Sequence, residues 1–592
     1  MASPLTLVDW LERTCERHEH RPSLGQKCGS QFDWITYGDL AHRVASARSL
    51  LTDLGIAPND RVAIIADNCL HWATLCYATA AVRGVFVPMY TAQTPIEWAH
   101  ILNDCAAKIC FCGTATILEQ LRAHCSELPE LAHLIGLQPS TDIAGDGAAQ
   151  IEQGLNYDPP LERPSPDDLA AIIYTSGTTG AAKGVMLSHR NITSNALAGA
   201  SLFTIDSTDR SLSFLPWAHA FGQTVDLHLL LGAGVAVAIN DDVSNLLPNL
   251  KLARPTILVA VPRVFNRIHD NVRKQLRRRS KPVRYLFERG LEASMARTRG
   301  EALTIRQRAM LSVANRLLFA KVRDRVGGCL RFTICGSAAL SREVAEFVSA
   351  LGIELYEGYG LTEASPVVSV NTPTCRRFGS VGPPLPGVTV QIDRGVTGDE
   401  RHGEILVRGP NVMQGYFGRP DETAEAITQD GALRTGDLGY LDDAGCLVIS
   451  GRSKEQYKLE NGKYVVPSPI EERLRSSPLI ANCIVYGSDK PYNVALVVPD
   501  EEGLRLHAAR VGQEFPNTLS DPAIKRWLLN EVRALSRELR AFERPKRIAV
   551  CEQDFTLEAG LLTPTLKPKR DEIVKRFRDQ LDALYVSTRA ND

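Results

Sequence analysis

The chain has 592 residues, 44% hydrophobic and 23% charged, the usage of an ordinary globular protein with more than one domain. That composition excludes a disordered, collagen-like or coiled-coil chain. Lys and Arg total 67 against 68 Asp and Glu, a near-neutral balance that argues against a dedicated nucleic-acid binder.

The first stretch, Met1–Pro22, is amphipathic and lacks the apolar core of a signal peptide. No run reaches the roughly 18 uninterrupted apolar residues of a membrane span. Ala73–Tyr90 is interrupted by Arg83, and Leu227–Ile239 is too short. Fourteen cysteines form no C-x-x-C pair and no zinc-type cluster with histidine, so they read as reduced, mostly buried thiols. These features together predict a cytoplasmic protein.

Helical spacing over Leu40–Leu54 stops at Gly55, and Asp60–Ile65 predicts a buried strand. The pattern repeats with a helix over His71–Val82, a strand over Gly84–Pro88, a helix over Glu97–Cys105 and a strand over Lys108–Cys112. Alternation at this pace predicts an α/β sheet covered by helices. Gln138–Pro166 is rich in Pro, Asp, Gly and Ala and reads as a surface connection, and Leu169–Ile173 predicts a strand. Asp270–Arg325 is helical and basic, with 16 Lys and Arg against 5 Asp and Glu. Its bland reading is a solvated helical face. The sharper one is a surface for anions such as membrane headgroups or CoA phosphates, hence a peripheral membrane contact.

From Gly379 onward short β-like runs, Val388–Ile392 and Gly403–Arg408, alternate with Gly and Pro turns and predict a β-rich subdomain. Beyond Gly451-Arg452 comes a compact α+β pattern. It comprises a hairpin over Tyr457–Val466 around Asn461-Gly462, a helix over Ser468–Arg475, strands over Ile480–Tyr486 and Asn493–Val498, and long helices thereafter. The expected organisation is a large multi-sheet N-terminal domain, 1–451, and a small mobile α+β C-terminal domain, 452–592.

The densest chemical signal is Tyr174-Thr-Ser-Gly-Thr-Thr-Gly-Ala-Ala-Lys-Gly184, which follows a predicted strand. Its N–H and O–H groups are suited to surround phosphate oxygens, glycine permits close approach, and Lys183 adds charge. It is not the G-x-x-x-x-G-K-[ST] loop of kinase-like NTPases, because Gly184 follows the lysine. A dehydrogenase would need G-x-G-x-x-G, and the nearest match, Gly232-Ala-Gly234, lacks the third glycine. The G-x-S-x-G of a serine hydrolase is absent.

Four further motifs follow in order: Tyr356-Glu-Gly-Tyr-Gly-Leu-Thr-Glu363, Leu433-Arg-Thr-Gly-Asp-Leu-Gly439, Gly451-Arg-Ser-Lys-Glu455 and Leu562-Thr-Pro-Thr-Leu-Lys-Pro-Lys-Arg570. With the first loop, this series resembles the adenylate-forming superfamily, which includes acyl- and aryl-CoA synthetases, luciferases and peptide-synthetase adenylation domains. The resemblance spans nearly the whole chain. The last motif has Leu566 where the superfamily usually has glycine before the catalytic lysine, and in this it is similar to long-chain fatty acyl-CoA synthetases.

The resemblance implies a fatty acid–CoA ligase that uses ATP and Mg²⁺, with CoA as co-substrate and a fatty acid, long-chain by preference, as acid. In that reading Thr175, Ser176, Gly177, Thr178, Thr179, Gly180 and Lys183 cradle the β- and γ-phosphates. Glu363 ligates Mg²⁺ with Thr175, and Thr362 meets the α-phosphate. Tyr359 and Gly360, with Gly336, Ser337 and Ala338, line the adenine pocket. Asp437 accepts the ribose hydroxyls and Arg452 reaches the same region. Lys567, preferred over Lys569, stabilises charge on the transferring phosphoryl group. Lys454 occupies the hinge position, Gly462 faces the pantetheine channel, and His219 in Pro216–Gly222 lies beside the acyl group. The alternatives are a ligase that loads a separate acyl carrier protein, a CoA ligase for aryl or medium-chain acids, and a catalytically silent binding protein.

Overall fold

Helices and strands alternate along the first part of the chain and build a seven-stranded sheet. The computed structural model describes residues 5–137, 162–175, 182–396, 401–461, 463–556, 559–562 and 568–585. Five strands of that sheet run parallel: His133–Gly136, Ile109–Cys112, Arg61–Ile65, Val85–Met89 and Leu169–Thr175. Val62 to Ile65 are fully buried, because helices cover both faces. Lys183–Ser188 adds antiparallel to Leu169–Thr175, and Gly415–Tyr416 adds antiparallel to Lys183–Ser188.

The predicted elements of this region are all present. Two helices begin earlier than their apolar periodicity, for a capping reason. Thr36 and Asp39 form a capping box that starts the helix Tyr37–Asp53, and Thr94 with Glu97 does the same for Pro95–Asp104. An antiparallel pair, Pro22–Cys28 with Gln31–Thr36, went unread in the sequence. It joins Ala236–Ile239 and Arg210–Ser213 in a second sheet. A third sheet runs Ile257–Ala260, Phe332–Cys335, Leu355–Gly360, Val367–Val370. Leu227–Ile239, the apolar stretch too short for a membrane span, comprises the end of a π-helix, Gly222–Leu229, a short helical turn and the strand Ala236–Ile239.

The basic region forms the helices Pro262–Arg277, Lys281–Thr298, Ile305–Ala314 and Ala320–Arg325. Two of them approach closely at Gly290, where an added Cβ would lie 2.3 Å from the Ala314 Cβ. Phe287, Leu291, Leu311 and Phe319 form their core with Phe347 and Val348. Short strands follow, Thr389–Asp393, Gly403–Arg408, Leu433–Leu441 and Leu447–Arg452, ordered in that sequence in one sheet.

The chain divides into two compact units. One comprises Met1–Gln391, Leu406–Thr435 and Asp442–Leu447; the other comprises Ile392–Ile405, Gly436–Leu441 and Val448–Asp592. The second unit has its own sheet, Ile480–Tyr486, Val494–Pro499 and Arg547–Val550, and its own core around Ile470, Leu474, Leu504, Trp527 and Leu528. The hairpin read at Tyr457–Val466 is two strands of two residues, Tyr457–Lys458 and Tyr464–Val465. Among the described residues no helix is long and apolar enough to cross a membrane.

Candidate active site

The hairpin Leu169–Thr175 and Lys183–Ser188 has a register that sets Thr175 opposite Lys183 and Tyr174 opposite Gly184. The described residues on either side of 176–181 therefore form a paired base. Gly184 has to be glycine, because a Cβ there would lie 2.6 Å from an Ile172 methyl. Of the predicted phosphate-loop residues, Thr175 and Lys183 are in place at the roots. Ser176, Gly177, Thr178, Thr179 and Gly180 lie outside the described residues.

Lys183 is ion-paired with Glu422, and its Nζ sits 5.3 Å from the centroid of the Tyr416 ring. Lys183 is the main reason the Glu422 carboxyl lies below its ordinary range. Arg419 reaches Glu422 at 3.3 Å and Asp104 at 3.7 Å, and Asp104 accepts from the Tyr174 hydroxyl at 2.6 Å. The Tyr416 hydroxyl donates to Glu363 Oε1 at 2.9 Å. Burial and then the Glu363 charge push that phenol well up, so it stays a donor. None of Asp104, Tyr416, Arg419 and Glu422 was singled out from the sequence. Tyr416, Arg419 and Glu422 stand in a turn-rich stretch around Gly415-Tyr416 and Arg419-Pro420 without a recognised motif, and Asp104 ends the helix Pro95–Asp104.

Thr362 and Glu363 lie in a short 3₁₀ turn, Thr362–Ala364, after the strand Leu355–Gly360. Two asparagines hold this turn, and a third holds the segment beside it. Asn195 Nδ2 donates to the Val367 carbonyl at 2.6 Å, and its Oδ1 accepts from the Val367 N–H at 3.2 Å. Asn411 Nδ2 donates to the Ala364 carbonyl at 2.9 Å. Asn191 Nδ2 donates to the Pro410 and Val412 carbonyls, each at 2.8 Å. The Met413 N–H donates to the Glu363 carbonyl at 2.9 Å. A Cβ on Gly360 would lie 1.8 Å from the Pro366 carbonyl oxygen, so only glycine fits there.

Tyr359 is half-buried on the same strand, beside Gly360. Gly336, Ser337 and Ala338 follow the neighbouring strand Phe332–Cys335, and Ser337 takes a left-handed turn at φ 68°. Beneath Gly336 lies Phe221, whose ring an added Cβ would meet at 2.9 Å. The structure thus brings Pro216–Gly222 against Gly336. His219 is half-buried there, with Nδ1 accepting from the Phe221 N–H at 3.2 Å. Beneath that segment Trp217 Nε1 donates to Ser213 Oγ at 2.9 Å, which donates to Asp226 Oδ2 at 2.5 Å. Complete burial pushes the Asp226 carboxyl up to about 8.

In the second unit Asp437 is 5% exposed and pairs with Arg452, Nε to Oδ1 3.0 Å. Lys454 falls in the turn Ser453–Glu455, while Gly462 and Lys567 lie outside the described residues. The segment carrying Lys567 is flanked by a bridge between Leu562 and Pro568, and the Lys569 N–H donates to the Leu561 carbonyl at 2.9 Å. Next to it Arg570 donates from Nη2 to both carboxylate oxygens of Glu471, at 2.8 and 2.7 Å, and from Nη1 to the Val485 carbonyl at 3.1 Å. Both residues were read only as motif flank and helix. Their pairing across 99 residues has no local signature.

Among the described residues no group of three or more His, Cys, Asp and Glu side chains is arranged to hold a metal ion. Mg²⁺ takes one or two carboxylates and completes its shell with nucleotide oxygens and water. Glu363, with one oxygen already oriented, fits that demand.

Residues 11–417 match the AMP-binding enzyme family, and residues 454–589 match the AMP-binding enzyme C-terminal domain. The chain is 32% identical to long-chain-fatty-acid–CoA ligase 1 of Homo sapiens, covering 98% of this chain and 86% of that protein. It is 31% identical to the peroxisomal long chain acyl-CoA synthetase 7 of Arabidopsis thaliana, covering 99% and 87%. Of solved structures, the adenylation domain of a carboxylate reductase from Mycobacterium chelonae matches with a TM-score of 0.79 at 25% identity, covering 99% of this chain and 92% of that one. The chain therefore belongs to the AMP-binding enzyme family, as an adenylate-forming acyl-CoA synthetase.

Proposed function

We propose that the protein joins a fatty acid, long-chain by preference, to CoA in two half-reactions. The acid's carboxylate attacks the α-phosphorus of ATP, and the bond to the β-phosphate oxygen breaks. Acyl-AMP and pyrophosphate result. The CoA thiol, losing its proton, then attacks the acyl carbon, and AMP departs to leave the thioester. The observation that carries this reading is the linkage of Lys183 and Glu363 through Tyr416 at the roots of the phosphate loop.

In this reading Lys183 and the loop from Thr175 to Gly180 bind the outer phosphates. Glu363 with Thr175 would hold Mg²⁺, which supplies charge neutralisation on the triphosphate. Thr362 meets the α-phosphate. Tyr359, Gly360 and Gly336 to Ala338 seat adenine. Asp437, with Arg452, binds the ribose. Lys567 meets the charge that develops as carboxylate and phosphorus join. Lys454 serves as hinge for a small domain that turns between the half-reactions, Gly462 lies beside pantetheine, and His219 lies beside the acyl group. The basic helices present exposed Ile305, Val313 and Leu317 among arginines, a face suited to an anionic membrane surface that stores such acids.

The test is mass spectrometry of products after incubation with Mg²⁺-ATP, CoA and acids from acetate to oleate. Acyl-CoA from the long acids is expected. Acyl-AMP without thioester would assign the acyl group to a separate carrier protein, and thioester from short or aryl acids alone would overturn the long-chain preference.

A further inference from the structure

We propose that Tyr416 is a positioning residue that ties the phosphate-loop cation to the metal-binding carboxylate. Its ring seats Lys183 and its hydroxyl orients Glu363. The proposal rests on the reading of Glu363 as the carboxylate that receives Mg²⁺.

Tyr416 itself has a fixed place. It pairs with Val185 on the hairpin, and the next residue, Phe417, donates its N–H to the Gly184 carbonyl at 2.8 Å. The ring is therefore referenced to the two residues that follow Lys183. From there it reaches in two directions. On one side Lys183 Nζ lies 5.3 Å from the ring centroid. On the other the hydroxyl holds Glu363 Oε1 at 2.9 Å. A glutamate side chain loses rotamer freedom when it ligates a metal, and a carboxylate already held by one oxygen has less left to lose.

Glu422 completes the arrangement. Its carboxylate is the counter-charge of Lys183, and it is itself anchored by Arg419. An arriving triphosphate offers Lys183 a stronger anion in place of Glu422. The Tyr416 ring stays beneath the ammonium through that exchange, because backbone pairing holds it. One residue thus keeps the loop cation and the metal carboxylate in register as the nucleotide enters.

The test uses the full-length enzyme with a non-hydrolysable ATP analogue and Mn²⁺ in place of Mg²⁺, with bound Mn²⁺ read by electron paramagnetic resonance. Tyr416→Phe keeps the ring and loses the hydroxyl, so the Mn²⁺ Kd is expected to rise about tenfold, equivalent to about 1.4 kcal/mol. The Kd of the analogue without metal is expected to stay within about twofold. Tyr416→Leu, lacking the ring as well, should also weaken the metal-free analogue. In turnover, excess Mg²⁺ should return the kcat of Tyr416→Phe to near the parent value. Glu363→Gln is the control. A Mn²⁺ Kd raised by Glu363→Gln but unmoved by Tyr416→Phe would overturn the role of Tyr416. A Mn²⁺ Kd moved by neither would overturn the metal reading of Glu363, and the proposal with it. Tyr416→Phe leaves the backbone pairing intact, so that arm decides even if the leucine variant fails to fold.

Discussion

Neutralising Glu471 should unfold the second unit ahead of the rest of the protein. Glu471 is 8% exposed and Arg570 21% exposed at the side chain. The carboxylate accepts twice from the Arg570 guanidinium and once, at 2.6 Å, from the Val485 N–H. Burial by itself would depress the Arg570 pKa, and Glu471 more than reverses that. Breaking a buried pair by removing one partner typically costs about 3–5 kcal/mol, because a charge is left without compensation. With Arg570 partly exposed, Glu471→Gln should sit near the lower end, about 3 kcal/mol. With a urea dependence of about 2 kcal/mol per molar, the midpoint falls by about 1.5 M. Trp527 is the single tryptophan of the second unit and lies in its core, so its fluorescence follows this unit once the other five are replaced by Phe. Arg570→Met alone should cost a similar amount. The double variant Glu471→Met/Arg570→Met should cost well under the sum, since an apolar pair leaves no buried charge. Additive single effects would refute the claim that the two groups act as a pair.

Gly360→Ala places a Cβ 1.8 Å from the Pro366 carbonyl oxygen, so the turn carrying Thr362 and Glu363 must shift. A loss of about 1–3 kcal/mol in stability and a larger relative loss in ATP affinity are expected from calorimetry. Asp437→Ala should raise the ATP Kd at least tenfold by equilibrium dialysis, and an unchanged Kd would count against the ribose contact. Lys567→Ala should nearly abolish adenylation in pyrophosphate exchange yet spare thioester formation from supplied acyl-AMP. Equal loss of both half-reactions would remove that role. Asp226, with its pKa raised to about 8, costs nothing below about pH 4, where it is protonated folded and unfolded. Its penalty grows as pH rises and is complete above about 8. Buried His228 and His189, lowered to about 3 and about 4, act with the opposite sign and have nearly finished by pH 7. Stability should therefore fall from pH 7 to 8, and Asp226→Asn should flatten that slope. A slope shared by both proteins would assign it to other groups.

The alternation of helices and strands in the first part of the chain was legible because each element carries its own period. The pair Pro22–Cys28 and Gln31–Thr36 was not, because its alternation is imperfect. Pro22 and Gly25 interrupt it, and Gly25 lies flat beneath the Trp34 ring, 2.8 Å from where a Cβ would sit. The π-helix at Gly222–Leu229 was unreadable for a different reason. It buries Gln223, Thr224, Asp226 and His228, residues whose pattern argues for a surface. They are tolerated inside because several find partners such as Ser213, Tyr77 and Cys76 from other elements.

The same division runs through the site. The residues proposed to meet a ligand stand in short motifs, since a loop around phosphate has to place several donors within a few residues. Residues that hold those motifs in place are scattered, because a hydrogen bond to a backbone carbonyl can be made from anywhere that packing brings an amide. Asn195 reaches the Val367 carbonyl across 172 residues, and Asn411 reaches Ala364 across 47. Each such bond contributes only about 1 kcal/mol net, and the two amides share the Val367 and Ala364 carbonyls between them. Tyr416 belongs to this second group while touching the first. Its neighbours in sequence say only that a turn follows, and its meaning lies in reaching Lys183 on a neighbouring strand and Glu363 in a 3₁₀ turn. A motif search therefore finds the groups proposed to perform the chemistry and passes over those proposed to aim them.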